Sequence, residues 1–210
     1  MIGVLDFGSA GNVRSVQNSF ARAGEKTVLV RSASEIRKKR LTGLVIPGVG
    51  SFYTVPRIAA ALGGREGIAS LKMPVLCICL GMQALFDSSE ESGKTAGLCI
   101  VQGKVRKIGG SVRLPQLGWN RVDQTGEGER DPLLSGIGEG EYFYFANSFA
   151  AFPDDSKSVL GTVNYGENFA AVVRARNFWG VQFHPEKSGK AGQRLIENFA
   201  AICRKKLVEK

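Results

Sequence analysis

Pro74-Val75-Leu76-Cys77-Ile78-Cys79-Leu80-Gly81-Met82-Gln83 is the stretch on which the reading of this chain turns. A short apolar run opened by a proline reads as a buried parallel strand, and the run from Leu80 to Phe86 reads as an amphipathic helix that starts at once. With almost no loop between them, the junction residue is pushed out of the sheet and exposed at a helix N-terminus, the geometry of a nucleophile elbow. Cys79 occupies that apex. Small residues are wanted two positions to either side, where the chain doubles back; Gly81 meets the need and Cys77 meets it in part. A strand carrying two packed cysteines fits the same letters, because free cysteine is among the most buried residue types.

Upstream, strand and helix signals alternate. Ile2 to Leu5 reads as a strand, Gly8-Ser9-Ala10-Gly11-Asn12 as a turn, and Val13 to Ala23 as a helix ended by Gly24. Thr27 to Val30 and Leu44 to Ile46 are further strands, with helices near Ser34 to Arg40 and Val55 to Leu62. Such alternation predicts an α/β fold: a mostly parallel sheet with right-handed crossovers and helices on both faces. After Glu91 the pattern changes to strands over Ile100–Ile108, Trp119–Asp123, Tyr142–Ala146, Val159–Tyr165, Phe169–Ala175 and Phe178–Phe183. These are expected to extend the same sheet with antiparallel members, as a mixed edge and not a second domain. Glycine-rich segments such as Gly126-Glu127-Gly128-Glu129 read as turns, and an amphipathic helix from about Ala191 to Leu207 closes the chain.

At 210 residues the chain can bury one good core, and 43% apolar with 22% charged residues is ordinary globular composition. No run approaches the roughly 20 apolar residues that cross a bilayer, and the N-terminus lacks the features of a signal peptide. A single cytoplasmic domain is expected, with no membrane partner. The four cysteines show neither disulfide nor zinc spacing and read as reduced thiols. The net charge of +9 raises the question of nucleic acid. Its clusters, Arg37-Lys38-Lys39-Arg40 and Arg204-Lys205-Lys206, fall at helix ends with no aromatic platform beside them, which favours solvated surface or an acidic partner over nucleic acid.

A thiol nucleophile needs a base, and the chain has one histidine. His184 must fill the role if this is a Cys-His enzyme. It ends an apolar strand in Val181-Gln182-Phe183-His184-Pro185-Glu186-Lys187-Ser188, and Glu186 is close enough to orient its ring. A lone surface histidine beside a turn proline is the competing reading. Acyl transfer also needs donors for an oxyanion. The Leu80 N–H follows the nucleophile, and the second donor is expected from Pro47-Gly48-Val49-Gly50, where flanking glycines let a peptide rotate about Val49 and Gly50. Such a loop is often merely a turn, and it lacks the Lys and Ser/Thr of a phosphate loop.

Taken together, Pro47-Gly48-Val49-Gly50, Cys79-Leu80-Gly81-Met82-Gln83 and His184-Pro185-Glu186 resemble the class I (triad) glutamine amidotransferases over nearly the whole chain. The resemblance implies a three-layer, flavodoxin-like α/β fold, no cofactor or metal, and hydrolysis of glutamine through a Cys79 thioester with His184 and Glu186. Gln83, Gly50, Ser148 and Phe149 would line the glutamine pocket. Within the family, Asp6-Phe7-Gly8-Ser9-Ala10-Gly11-Asn12, Leu117-Gly118-Trp119-Asn120 and Phe183-His184-Pro185-Glu186-Lys187-Ser188-Gly189 are similar to glutaminase subunits that feed ammonia to a (β/α)₈-barrel cyclase in histidine biosynthesis. That likeness places Asn12, Trp119, Asn120 and Lys187 near the interface of a heterodimer, although Trp119 reads equally as a core aromatic. Other members of the class, serving pyridoxal phosphate, anthranilate or purine synthesis, and a catalytically silent binding module are the alternatives. The chain departs from the family at Cys77, where glycine is usual, and at Gln116 and Asn147, where histidines are usual.

Overall fold

The computed structural model describes residues 1–8, 13–93 and 95–208. The first half contains β1 (Ile2–Leu5), α1 (Val13–Arg22), β2 (Thr27–Val30), α2 (Ala33–Lys38), β3 (Gly43–Ile46), α3 (Val55–Leu62), α4 (Gly64–Ser70), β4 (Val75–Ile78) and α5 (Leu80–Gln83). There follow β5 (Ser88–Ser89), β6 (Gly103–Lys107), β7 (Gln116–Arg121), β8 (Asp123–Gln124), α6 (Gly126–Glu129), β9 (Tyr142–Asn147) and β10 (Phe149–Pro153). The chain ends with β11 (Val159–Tyr165), β12 (Glu167–Ala175), β13 (Phe178–Val181) and α7 (Gly189–Val208).

Among the described residues the main sheet runs β2-β1-β3-β4-β13-β12-β10-β6-β5, with β11 on β12 and β8 on β11. From β2 to β13 every pairing is parallel, and β12 and β10 pair antiparallel beyond it. The inner parallel strands β1, β3, β4 and β13 are continuous apolar runs buried along their length, as helices covering both faces require, while the edge strand β2 is only partly buried. Alternation along β4 sends Leu76 and Ile78 to one face, with Phe20 of α1 and Phe199 of α7, whose rings meet edge to face at 6.2 Å. Val75 and Cys77 go to the other face, with Ile58 and Leu62 of α3. The fold is the expected three-layer α/β arrangement with a mixed, mostly parallel sheet.

Several details differ from the sequence expectation. β7 and β9 do not extend the main sheet but form a two-stranded antiparallel ribbon of their own, Gln116 opposite Asn147 through Arg121 opposite Tyr142. Phe143 and Phe145 on the inner face of that ribbon pack on Phe183 at 4.0 and 5.7 Å, so aromatic contact holds it and not a ladder to the sheet. The helix after the elbow stops at Gln83 and not at Phe86, because Leu80 to Phe86 is buried all round and has no wet face to sustain amphipathic packing. Gly126 to Glu129 is a helical turn, capped by the Thr125 hydroxyl, which accepts the Gly128 N–H at 3.1 Å. The expected turn at Gly8–Asn12 lies largely outside the described residues.

Candidate active site

Cys79 links β4 to α5 with φ 53° and ψ −109°, a backbone state that costs a residue with a side chain about 1–3 kcal/mol and persists only where neighbours enforce it. Two of those neighbours are visible. The Cys79 N–H donates to the Val181 carbonyl at 2.7 Å, which continues the β4–β13 ladder through the apex. On the other flank the turn is clamped by close approach: a Cβ on Gly81 would stand 2.2 Å from the Ile46 carbonyl oxygen, and one on Gly48 would stand 2.5 Å from the Gly81 nitrogen. The loop after β3 and the elbow therefore touch backbone to backbone.

Cys77 fits for a related reason. Its register partner on β13 is Gly180, and Met82 of α5 packs over that glycine, where an added Cβ would come within 2.7 Å of Met82 Cγ. Cys77 is fully buried on the face away from the apex, and burial pushes its thiol far above the ordinary range. It is a packed side chain, and the apex is left to Cys79.

The chain beyond β13 delivers the histidine. The Gln182 N–H turns to the Ala171 carbonyl at 2.9 Å, and the His184 N–H reaches the Tyr144 carbonyl of β9 at 2.9 Å. The Ser188 hydroxyl donates to the His184 carbonyl at 2.6 Å and accepts the Tyr144 N–H at 2.9 Å, stitching the turn Pro185–Lys187 to the ribbon. His184 Nδ1 sits 2.8 Å from Glu186 Oε1, and their side chains are 4% and 0% exposed. With Nδ1 so engaged, Nε2 is the ring atom left for Cys79, the other group that raises the basicity of the ring. Burial is the largest single influence and works against a charged ring. Hydrogen bonds and charge from Cys79 and Glu186 together outweigh it, and the imidazole is pushed up to about 10. A proton on His184 is thus stabilised between a carboxylate and a sulfur.

Cys79 opens on a cavity of about 220 Å³, walled with it by Gly50, Leu80, Gln83, Ser148 and Phe149. Leu80 is the first residue of α5, so its N–H has no acceptor within the helix and is available to an oxyanion. A four-residue helix carries little macrodipole, so what it offers at this end is the single N–H. Gly50 has φ 108°, open to glycine and strained for other residues, next to the partly buried Val49. Three contributors escape sequence reading. Glu91 reaches the cavity wall while its Oε2 accepts the Phe52 N–H at 2.7 Å; Gln182 lies against the sulfur; and Ser188 holds the histidine turn. Only the position of Gln182, two residues before His184 and so on the same side of an extended chain, carries a signal in the sequence.

The four residues expected at an interface separate. Asn12 lies outside the described residues. Trp119 is no core aromatic: it is 55% exposed, edge-on to Tyr144 at 6.3 Å, and Lys187 Nζ stands 5.6 Å from the same Tyr144 ring. Asn120 points to the opposite side of β7, where Nδ2 donates to the Asn164 carbonyl at 3.0 Å. Gln116 and Asn147 stand side by side in the ribbon, 3% and 6% exposed. Among the described residues there is no cluster of His, Cys, Asp or Glu able to hold a metal ion, and no helix long and apolar enough to cross a membrane.

An elbow cysteine paired with a carboxylate-bound histidine beside a small polar cavity is equipment for acyl transfer from an amide. The family model for class-I glutamine amidotransferases matches residues 3–203. This chain belongs to that family. It is 36% identical to imidazole glycerol phosphate synthase subunit HisH 1 of Methanococcus maripaludis, over 96% of this chain and 100% of that protein. It is 39% identical to subunit HisH of the same synthase from Sulfurimonas denitrificans, over 95% and 97% of the two chains. Among solved structures, a glutamine amidotransferase superposes with a TM-score of 0.72 at 18% identity, over 97% of this chain and 98% of that one, a likeness of fold.

Proposed function

We propose that this chain is the glutaminase subunit of an imidazole glycerol phosphate synthase, acting as one domain and paired with a (β/α)₈-barrel cyclase in the cytoplasm. The thiolate of Cys79 attacks the side-chain amide carbon of glutamine, and the oxyanion is held by the Leu80 N–H and by the peptide between Val49 and Gly50. His184, oriented by Glu186, gives its proton to the departing ammonia. It then takes one from the water that opens the thioester, releasing glutamate. Ammonia passes to the cyclase, which uses it to split a phosphoribosyl-formimino substrate into imidazole glycerol phosphate and an aminoimidazole carboxamide ribotide. No cofactor is required.

The observation that carries the reading is the carboxylate-held His184, whose basicity the apex Cys79 raises, with Cys79 itself opening on the cavity walled by Gly50, Gln83, Ser148 and Phe149. Relatives bearing the synthase subunit name at 36% and 39% identity over nearly full length support the choice of partner reaction. Trp119 and Lys187, exposed beside Tyr144, are the anchors offered to the cyclase. With the cyclase and its ligand present, Cys79→Ala is expected to lower glutamine-dependent ring closure by about a thousandfold or more, while added ammonium still supports it. Retained glutamine hydrolysis would overturn the assignment. In the isolated chain turnover is expected to be low, since the Gly50 peptide can rest turned away until a partner reorients it.

A further inference from the structure

Gln182 follows β13 directly and comes against the Cys79 sulfur, so His184 is not alone in acting on it. Gln182 is fully buried, and its Nε2 lies 3.7 Å from Cys79 Sγ, a long contact for oxygen but a serviceable one for the larger sulfur atom. A primary amide could turn either end toward Cys79; its neighbours decide which. The Phe149 backbone carbonyl can only accept, and Gln83 Nε2 lies 2.9 Å from it, so the nitrogen end of Gln83 must point that way. The same Nε2 stands 3.0 Å from Gln182, which must therefore offer its oxygen. That leaves the Gln182 nitrogen for the sulfur. A main-chain carbonyl thus fixes, through two amides, a donor aimed at the nucleophile.

We propose that Gln182 is a further catalytic residue, which donates an N–H to the Cys79 sulfur and stabilises it as an anion both when it attacks and when it is expelled. Gln83 and the Phe149 carbonyl position it. In acylation the sulfur–carbon bond forms while the electron pair of the broken carbon–nitrogen bond takes the His184 proton. In deacylation the water oxygen bonds to the carbonyl carbon, its proton passes to His184, and the carbon–sulfur bond breaks with its electron pair on sulfur. At that moment the Gln182 N–H is already in place, with no reorganisation needed. The ionisable groups facing the sulfur are His184, held by Glu186, and Glu91 on the cavity wall. Neither can replace a fixed neutral donor: the histidine must move its proton, and the glutamate is an acceptor when ionised.

The inference rests on Cys79 being the nucleophile, and the test keeps the two apart. The full chain is treated with iodoacetamide across a pH series, and carbamidomethylation of the Cys79 peptide is followed by mass spectrometry, with exposed Cys99 as internal reference. Gln182→Leu should move the rise of Cys79 reactivity upward by about one pH unit, the scale set by one hydrogen bond to a charged group. Gln182→Glu keeps the side-chain volume and the bond from Gln83 but places an acceptor beside the sulfur, and should move it further. Should the leucine variant fail to fold, the glutamate variant decides alone. Superimposable profiles in a folded variant, even one with reduced turnover, would overturn the role of Gln182. Retained glutamine hydrolysis in Cys79→Ala would instead remove the nucleophile, and the proposal with it.

Discussion

The parallel half of the sheet and the β7–β9 ribbon treat apolar side chains in opposite ways. Strands β1, β3, β4 and β13 are buried throughout, whereas the ribbon leaves Leu117, Trp119 and Tyr142 at 67%, 55% and 56% exposure. One region is packed on both faces and stores the strain at Cys79. The other is packed on one face only, and its outer face is an apolar patch of the kind that marks a binding surface. Their difference is a division of labour: the rigid half carries the strained Cys79, and the ribbon keeps one apolar face uncovered. The histidine turn belongs to both, since it follows β13 and is bonded to Tyr144 of β9.

This contrast can be broken in a definite order. Gly81→Val drives a side chain into the Ile46 carbonyl and is expected to cost about 3 kcal/mol or more, read as a lowered urea midpoint together with loss of glutaminase activity. Trp119→Ala, on the ribbon, should leave the midpoint within about 0.5 kcal/mol of the parent. It should weaken association with the cyclase by about 2 kcal/mol, a roughly thirtyfold rise in Kd by calorimetry. An equal fall in stability would mean that Trp119 is structural.

The pairing between the two regions sharpens at His184. Because the chain has one histidine, its ring gives a single set of imidazole signals in ¹⁵N NMR. The folded-state pKa of about 10 lies above the ordinary 6.5. Stability from this site is therefore fully present below pH 6.5 and is lost as pH rises through about 10. The imidazolium signal should persist well past neutrality, and deprotonation near pH 6.5 would contradict the buried pairing with Glu186 and Cys79. Smallest of all, Cys77→Ala should cost about 1 kcal/mol in the denaturation midpoint and leave Cys79 alkylation unchanged.

The parallel half is plain in the sequence because its physics is local. Short apolar runs place β1, β2 and β4, the last opened by Pro74, and a lone histidine followed by a glutamate two residues on names its own partner. The ribbon is not, because β7 and β9 carry the alternation of any half-buried strand. Only the stacking of Phe143 on Phe183 separates them from the sheet. Gln182 and Glu91 are hidden for a similar reason. An amide or carboxylate does not reveal its acceptor or donor until residues such as Cys79 and Phe52, far from it in sequence, are brought alongside. Trp119 left two readings open, and its exposure removes the one that makes it a core aromatic.

The backbone contact between Gly48 and Gly81 also bears on how such a chain can change over evolutionary time. Two segments more than thirty residues apart meet with no side chain between them, so neither glycine can drift without a compensating shift in the other. Cys77, facing Gly180 across the ladder, has a neighbour that yields space in place of demanding it. Variation is therefore admitted on one side of Cys79 and closed on the other, and the loop and the elbow must be inherited as a single unit.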